Sequence, residues 1–359
     1  LIKESMRRSL MKAQIQNILV IQTAHAGDII MSTPLFEGLR QLYPEAGIDV
    51  VVNHRHAGIL ANNPHIRKVL GLRKRGKKIS NLFGLVRRIR RTPYDLALSM
   101  QIHMSSSLMM YLGGIRTRVG SSRQRLLTHR VAFPPGIHIR EKAGMLLESL
   151  GKGPFYLQTK LYPSDGDRAH AQQYLLSNGR FRLGVAPGSD KLTRRWPADY
   201  FIKLLSALPD RVDVYLIGSD PCDAALSDDI LKQSTGAGLI NTTGKLSLLQ
   251  SAALIDELDL LLCHDSPPLH VGNAMRTNVF AIFGPTVRDS GSYPFRDGDL
   301  LIETELPCRP CSRQDGRKCP EKHFRCMRDI TPGRVLREIV TFIEGKRPGA
   351  DPHGLVPAD

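Results

Sequence analysis

Three short stretches combine residues able to do chemistry at the end of a strand. The first, Thr23-Ala24-His25-Ala26-Gly27-Asp28, follows the apolar run 17–22. Gly27 permits a tight turn, and Asp28 falls at a helix start, where the dipole favours an ionised carboxylate. In a cleft such a carboxylate can take the proton of a hydroxyl nucleophile. The plainer reading is a helix N-cap. The turn lacks the glycines of G-x-G-x-x-G, which argues against a dinucleotide cofactor there. The second stretch is Pro187-Gly188-Ser189-Asp190-Lys191-Leu192-Thr193-Arg194-Arg195-Trp196-Pro197. The amides of Gly188 and Ser189, with Lys191, Arg194 and Arg195, can hold a diphosphate. A solvated basic loop is the alternative. The third is Cys263-His264-Asp265-Ser266-Pro267-Pro268-Leu269-His270. Here Ser266 can cap a helix, Pro267 suits its first position, and the amides of Leu269 and His270 are offered to an anion. Capping alone leaves unexplained why Asp265, Ser266 and His270 gather at the same sheet end as Asp28. Gly284-Pro285-Thr286 closes the next strand at that end, and four such loops at one edge say more than any one of them.

The elements that must position these loops alternate strand and helix. After 17–22 the pattern predicts a helix over 28–43 and a strand over 48–53, a βαβ opening. A helix near 79–91, a strand at 95–100 and helices near 104–112 and 140–151 follow. Pro and Gly punctuate 152–165, which reads as a linker. A second alternation has strands at 182–187, 213–218, 258–263 and 278–283. Its helices fall at 198–208, 222–234, 246–256 and 268–275. A last helix, 331–345, is opened by Thr-Pro. Continuous apolar strands indicate buried parallel sheets. The expectation is an α/β chain with two Rossmann-like parallel-sheet domains, 14–160 and 166–345, facing each other across a cleft, and a flexible tail at 346–359.

Charge separates the two halves. Residues 1–150 hold 24 Lys and Arg against 8 Asp and Glu; residues 151–359 hold 26 of each sign. The whole excess of +16 therefore lies in the first half, which should face something polyanionic. Arg73, Lys74, Arg75, Lys77, Lys78, Arg87, Arg88, Arg90 and Arg91 form one dense run. Arg116, Arg118, Arg123, Arg125 and Arg130 form a second. The helix over 79–91 can lie in a membrane interface or pack on its own domain. No apolar run approaches the ~18–20 residues that span a bilayer. No signal peptide is read, and the expected location is cytoplasmic. A nucleic-acid-binding protein is the competing class. Aromatic content of 6% without aromatic interleaving in the basic runs argues against single-strand recognition. A catalytically silent scaffold in an envelope complex is the third reading.

Gly27-Asp28, Pro187-Gly188-Ser189 with Arg194-Arg195-Trp196-Pro197, Asp265-Ser266-x-Pro268-Leu269-His270 and Phe283-Gly284-Pro285-Thr286 together resemble the heptosyltransferase family (glycosyltransferase family 9) in order over about residues 17–340. The resemblance implies the GT-B fold. It implies inverting, metal-independent transfer of heptose from ADP-heptose to the lipopolysaccharide inner core. Asp28 then resembles the catalytic base. Gly188, Ser189, Lys191, Arg194, Arg195, Asp265, Ser266, Leu269, His270 and Thr286 fall on the donor phosphate and sugar side, and Asp220 or Asp223 on the ribose. His25, Arg73, Lys74, Arg75, Arg116, Arg118 and Arg123 become candidates for an anionic acceptor, with the chain peripheral to the cytoplasmic face of the inner membrane and no nucleic acid as partner. Two departures stand out. Pro267 replaces a common Gly and removes a backbone donor, and Arg194 replaces a common Lys. The acceptor can also be a protein, as for autotransporter heptosyltransferases, and the donor another nucleotide sugar.

Cys308-x2-Cys311-x7-Cys319-x6-Cys326 has a spacing that allows a structural four-thiolate Zn or Fe site. Some members of the resembled family have a comparable cluster. The alternative is a set of free or buried thiols. Catalysis on the resembled pattern needs no cofactor.

Overall fold

The computed structural model describes residues 14–73, 78–151, 153–219, 221–236, 238–311 and 318–345. Lys74, Arg75, Lys77, Asp220 and the tail 346–359 lie outside the described residues. The chain divides into two compact units, Leu1–Tyr162 and Pro163–Asp359.

The first unit is built on β1 (Asn17–Gln22), whose Ile18, Leu19, Val20 and Ile21 are buried on both faces. The chain then runs α1 (Ala26–Met31), α2 (Thr33–Leu42), β2 (Gly47–Asn53), β3 (Lys68–Leu72), α3 (Lys78–Arg90), β4 (Leu96–Ser99), α4 (Met104–Leu112), β5 (Thr117–Ser121), β6 (His129–Val131) and α5 (Ile139–Leu150). All six strands are parallel, in the order β3-β2-β1-β4-β5-β6. On one face α3 and α4 supply Leu85, Ile89, Met109 and Met110 to a core with Leu19, Ile21 and Leu70. α2 packs on α5, and Gly38 makes room for Leu147: a Cβ there would stand 2.2 Å from its side chain.

The helix expected over 28–43 is two helices. Pro34 has no N–H for the carbonyl four residues back, Ile30. The Thr33 hydroxyl donates to that carbonyl instead at 2.7 Å, and the Ser32 hydroxyl to Ile29 O at 2.7 Å. These side-chain bonds satisfy the turn while the axis breaks.

The second unit continues with α6 (Asp165–Gln172), β7 (Phe181–Val185), α7 (Ala198–Ser206), β8 (Val212–Leu216), α8 (Pro221–Gln233), β9 (Leu239–Asn241), α9 (Leu248–Asp256), β10 (Leu260–His264), α10 (Pro267–Met275), β11 (Asn278–Ile282), β12 (Leu300–Ile302), α11 (Arg325–Arg328) and α12 (Pro332–Ile343). Its parallel order is β12-β11-β10-β7-β8-β9. Counted within the unit this is the order of the first sheet, so the strand sequence reverses between β1 and β4 and again between β7 and β10. Those reversal points are where open α/β sheets bind ligands. The core gathers Trp196, Phe201, Leu204, Phe280 and Met327.

α6 falls at the end of the stretch read as a linker. A capping box starts it: Ser164 Oγ accepts from Asp167 N–H at 3.1 Å, and Asp167 Oδ2 accepts from Ser164 N–H at 2.9 Å. The edge strands β3, β6, β9 and β12 have only three to five residues, too few for a periodic signal.

Candidate active site

In the first unit, α1 begins with His25 as N-cap, so Asp28 occupies the third helical position rather than the cap. Its Oδ2 accepts the His25 N–H at 3.2 Å. Burial pushes the Asp28 carboxyl above the ordinary carboxylate range, against the pull of that hydrogen bond and of the charges of His25, Lys142 and His103. Lys142, on α5, is the cation that the sequence reading missed. Burial lowers its own pKa, and Asp28 partly restores it. The turn after β1 is tied to the turn after β4, with Thr23 N–H and Oγ1 both donating to Gln101 Oε1 at 3.2 and 3.3 Å. Asp28 therefore sits at the reversal point of its sheet, within electrostatic reach of Lys142.

The structure sorts the basic candidates of this unit. His25 comes close to Asp28, while the charge of Arg123 acts on Lys142. Arg73 follows β3 at the same sheet edge. Arg116 and Arg118 stand at the start of β5, the opposite edge from Asp28. Arg118 is spent on backbone: Nε donates to Leu126 O at 2.7 Å and Nη1 to Ile115 O at 2.5 Å. Its guanidinium also lies 5.6 Å from the Tyr111 ring centroid. That arrangement pins the β5–β6 connection.

In the second unit the loops after β7 and β10 interlock. Arg194 Nη1 pairs with Asp265 Oδ2 at 2.9 Å and donates to Asp265 O at 3.1 Å. Thr286 Oγ1 donates to Asp265 Oδ2 at 2.9 Å. Burial raises the Asp265 carboxyl while Arg194, Thr286 and Ser292 pull it down. Arg195 Nε donates to Ser189 O at 2.7 Å, and its Nη2 is 4.0 Å from Asp223 Oδ1. His264 holds the pieces together. Its Nε2 accepts from Trp196 N–H at 3.0 Å, which leaves the proton on Nδ1, 3.4 Å from Gly188 O. Full burial lowers its pKa to about 4, so it is neutral.

Gly188, Ser189, Asp223 and Ser266 line one open cavity with Gly218, Leu246, Leu248 and Val271. The apolar members were missed in the sequence, where they read as ordinary core. A Cβ on Gly188 would come within 1.9 Å of Asp223 Oδ1, so only glycine lets that carboxylate approach the loop. Gly188→Ala is therefore expected to displace Asp223 and to cost about 1–3 kcal/mol in overpacking. Thermal unfolding of the variant measures the cost, and an unchanged melting temperature would show that Asp223 moves aside freely.

The helix start at α10 differs from expectation. Ser266 makes no side-chain cap bond, and Pro267 and Pro268 have no N–H. The Leu269 amide is turned onto Ser266 O at 3.1 Å, and its side chain is core. An anion here thus depends on Lys191, Arg194 and Arg195 more than on the amide of Leu269. His270 lies buried on the same first turns.

The structure brings the four thiols of that spacing within electrostatic reach of one another. Cys311, Cys319 and Cys326 line one small hollow with Thr193 and Pro285, and Cys308 Sγ stands 3.8 Å from His323 Nε2. Among the described residues no group of three or more His, Cys, Asp or Glu is placed to hold an ion. Burial raises the Cys311 thiol and pushes Cys326 up to about 11. The segment also contributes Arg309. Its Nε donates to Gly284 O at 2.6 Å, and its Nη2 donates to Thr286 O at 2.9 Å and pairs with Glu303 Oε2 at 2.5 Å. Its Nη1 donates to Thr304 O. Arg309 thereby fixes the turn whose Thr286 holds Asp265.

Comparison with known proteins agrees with this fold. The family model for glycosyltransferase family 9 (heptosyltransferase) matches residues 82–323. Lipopolysaccharide heptosyltransferase 3 of Escherichia coli K12 is 28% identical over 276 residues, 72% of this chain and 80% of its own. A glycosyltransferase family 9 structure from Veillonella parvula superposes with a TM-score of 0.82 at 22% identity, covering 92% of this chain and 98% of that one. The ADP-heptose lipopolysaccharide heptosyltransferase II of E. coli does so at 0.74 and 24%, covering 92% and 99%.

Proposed function

We propose, since the chain belongs to glycosyltransferase family 9, the heptosyltransferases, that it transfers heptose from ADP-heptose to the lipopolysaccharide inner core with inversion at the anomeric carbon. The observation that carries the mechanism is the half-buried Asp28, with its raised pKa, at the reversal point of the first sheet. Asp28 takes the proton of an acceptor hydroxyl. That oxygen attacks the anomeric carbon, and the bond from that carbon to the diphosphate breaks, leaving its electrons on ADP. The proton remains on Asp28.

The cationic loop answers the charge that develops on the leaving group. Arg194 and Arg195 are held in place before any donor arrives, Arg194 by Asp265 and Arg195 by Ser189 O. Preorganised charge of this kind stabilises a leaving diphosphate without rearrangement, and the reaction as proposed routes no step through a metal ion. Asp223 suits the ribose, and Leu246, Leu248 and Val271 suit an adenine ring. The printed name of the E. coli heptosyltransferase II supports ADP-heptose as donor, and the basic first half supports an anionic core acceptor at the cytoplasmic face of the inner membrane. No described helix is long and apolar enough to cross a membrane.

The test is transfer from ADP-heptose onto a panel of truncated core acceptors. Product on one acceptor, followed by mass, is the expected result. Absence of product together with absence of ADP binding would overturn the reading.

A further inference from the structure

The apolar side of α3 is taken by its own domain: Leu85, Val86 and Ile89 are buried in the core. What remains outside is a different surface. On α3, Phe83 is 64% exposed and shares its face with Arg87 and Arg90, four and seven residues further along, with Arg91 just past the helix end. On α4, Met104, Leu108 and Tyr111 follow the same spacing and are 43%, 37% and 55% exposed. The two helices touch. Arg90 Nε donates to Leu112 O at 2.8 Å, and Ile89 fills the space beside Gly113. Four large apolar side chains thus stand outward from adjacent helices, on the sheet face away from α2 and α5.

The charge around them has one sign. Between residues 50 and 140 the only carboxylate is Asp95, and its Oδ2 accepts the backbone amides of Gln16 and Asn17 at 2.9 Å each. Arg87, Arg88, Arg91 and Arg116 are exposed around the apolar residues. A protein partner needs acidic and apolar contacts in matched places. A bilayer of anionic phospholipid supplies both over any lateral arrangement, with phosphates for the guanidinium groups and acyl chains for the rings. The stripe on α4 also begins next to His103, whose charge reaches Asp28. A membrane on this face would lie along the helix that His103 caps.

We infer that the outward face of α3 and α4, with Phe83, Leu108 and Tyr111 as its inserted side chains, docks the first unit on an anionic phospholipid surface. The inference rests on the proposed membrane-anchored acceptor for its purpose, but its test does not use that reaction. Co-sedimentation of the full chain with vesicles of phosphatidylcholine, alone or mixed with phosphatidylglycerol, measures the docking directly.

Wild type should partition onto the mixed vesicles and weakly onto phosphatidylcholine alone, since each arginine near the surface is worth about fivefold. The triple variant Phe83→Ser, Leu108→Ser, Tyr111→Ser should lose about 100-fold or more of that partitioning. It changes only exposed positions, so its melting temperature should stay within a few degrees of wild type. Arg87→Gln with Arg88→Gln should lose roughly 10-fold or more. Equal partitioning of wild type onto both vesicles overturns the proposal. So does a triple variant that binds like wild type, which would leave a purely electrostatic surface such as one for nucleic acid. Transfer to a lipid-free core oligosaccharide, assayed in parallel, should be unchanged in the triple variant. Its failure in wild type would count against the reaction and not against the docking surface.

Discussion

Asp28→Asn should abolish most transfer while making the protein more stable at neutral pH. An asparagine carbonyl can still accept the His25 amide at the third position of α1, so the cap survives and the charge alone is lost. Removal of a general base costs about 10²–10⁴-fold in kcat. ADP affinity should stay close to wild type, because the donor candidates belong to the second unit. The stability effect follows from the direction of the pKa shift. Burial raises the folded value above that of a free aspartate side chain. Folding therefore favours the protonated acid, and that advantage is full below the unfolded pKa and lost as pH rises through the folded one. At neutral pH the ionised carboxylate costs stability, and the asparagine variant avoids that cost. Melting curves should show the variant above wild type at pH 7, with the gap closing towards pH 4. In wild type the acid limb of kcat/KM should lie above the ordinary carboxylate range. A variant with wild-type turnover would return Asp28 to a capping role.

Arg309→Met should be the most damaging single change to stability in the second unit. The guanidinium is 5% exposed and its partner Glu303 9%. Removing one member of a buried pair leaves the other uncompensated, at about 3–5 kcal/mol. In a unit of this size that corresponds to roughly 6–20 °C in melting temperature. The carbonyls of Gly284, Thr286 and Thr304 lose their donors as well. Adding Glu303→Gln should recover part of the loss, because the stranded charge goes. At temperatures where the single variant is folded, KM for the donor should rise more than kcat falls, since Thr286 positions Asp265. Thermal scanning of wild type, single and double variants measures the first effect. A double variant no better than the single would show that the carbonyl contacts, and not the charge pair, dominate.

Much of this was legible in the chain. Ile18–Ile21 and Leu260–Cys263 could only be buried parallel strands, and they place Asp28 and Asp265 at strand ends by necessity. Contacts made across long separations were not legible. Arg309 lies inside a cysteine spacing that draws attention to the thiols, while its partners are at 284, 286, 303 and 304. His264 is joined to Trp196, 68 residues away, and nothing local marks it. Lys142 looks like an ordinary polar residue of a helix until the fold brings α5 beside α1. Arg116 and Arg118 share a charge pattern with Arg123, yet a five-residue strand separates them to opposite edges of the sheet. Sign and density of charge are visible in one dimension; which edge a residue occupies is not.

The two prolines that open α10 carry a consequence for how the proposed nucleotide site behaves in solution. Backbone amides at a helix end grip an anion through fixed dipoles that dissolved ions shield poorly at contact range. With two of those donors missing and a third turned inward, the grip falls to the side chains of a partly exposed loop. Interactions of that kind are screened over a Debye length of about 8 Å at 0.15 M ionic strength. On the proposed reading, nucleotide affinity should therefore follow ionic strength, so that the salt content of the surroundings acts as a dial on donor occupancy.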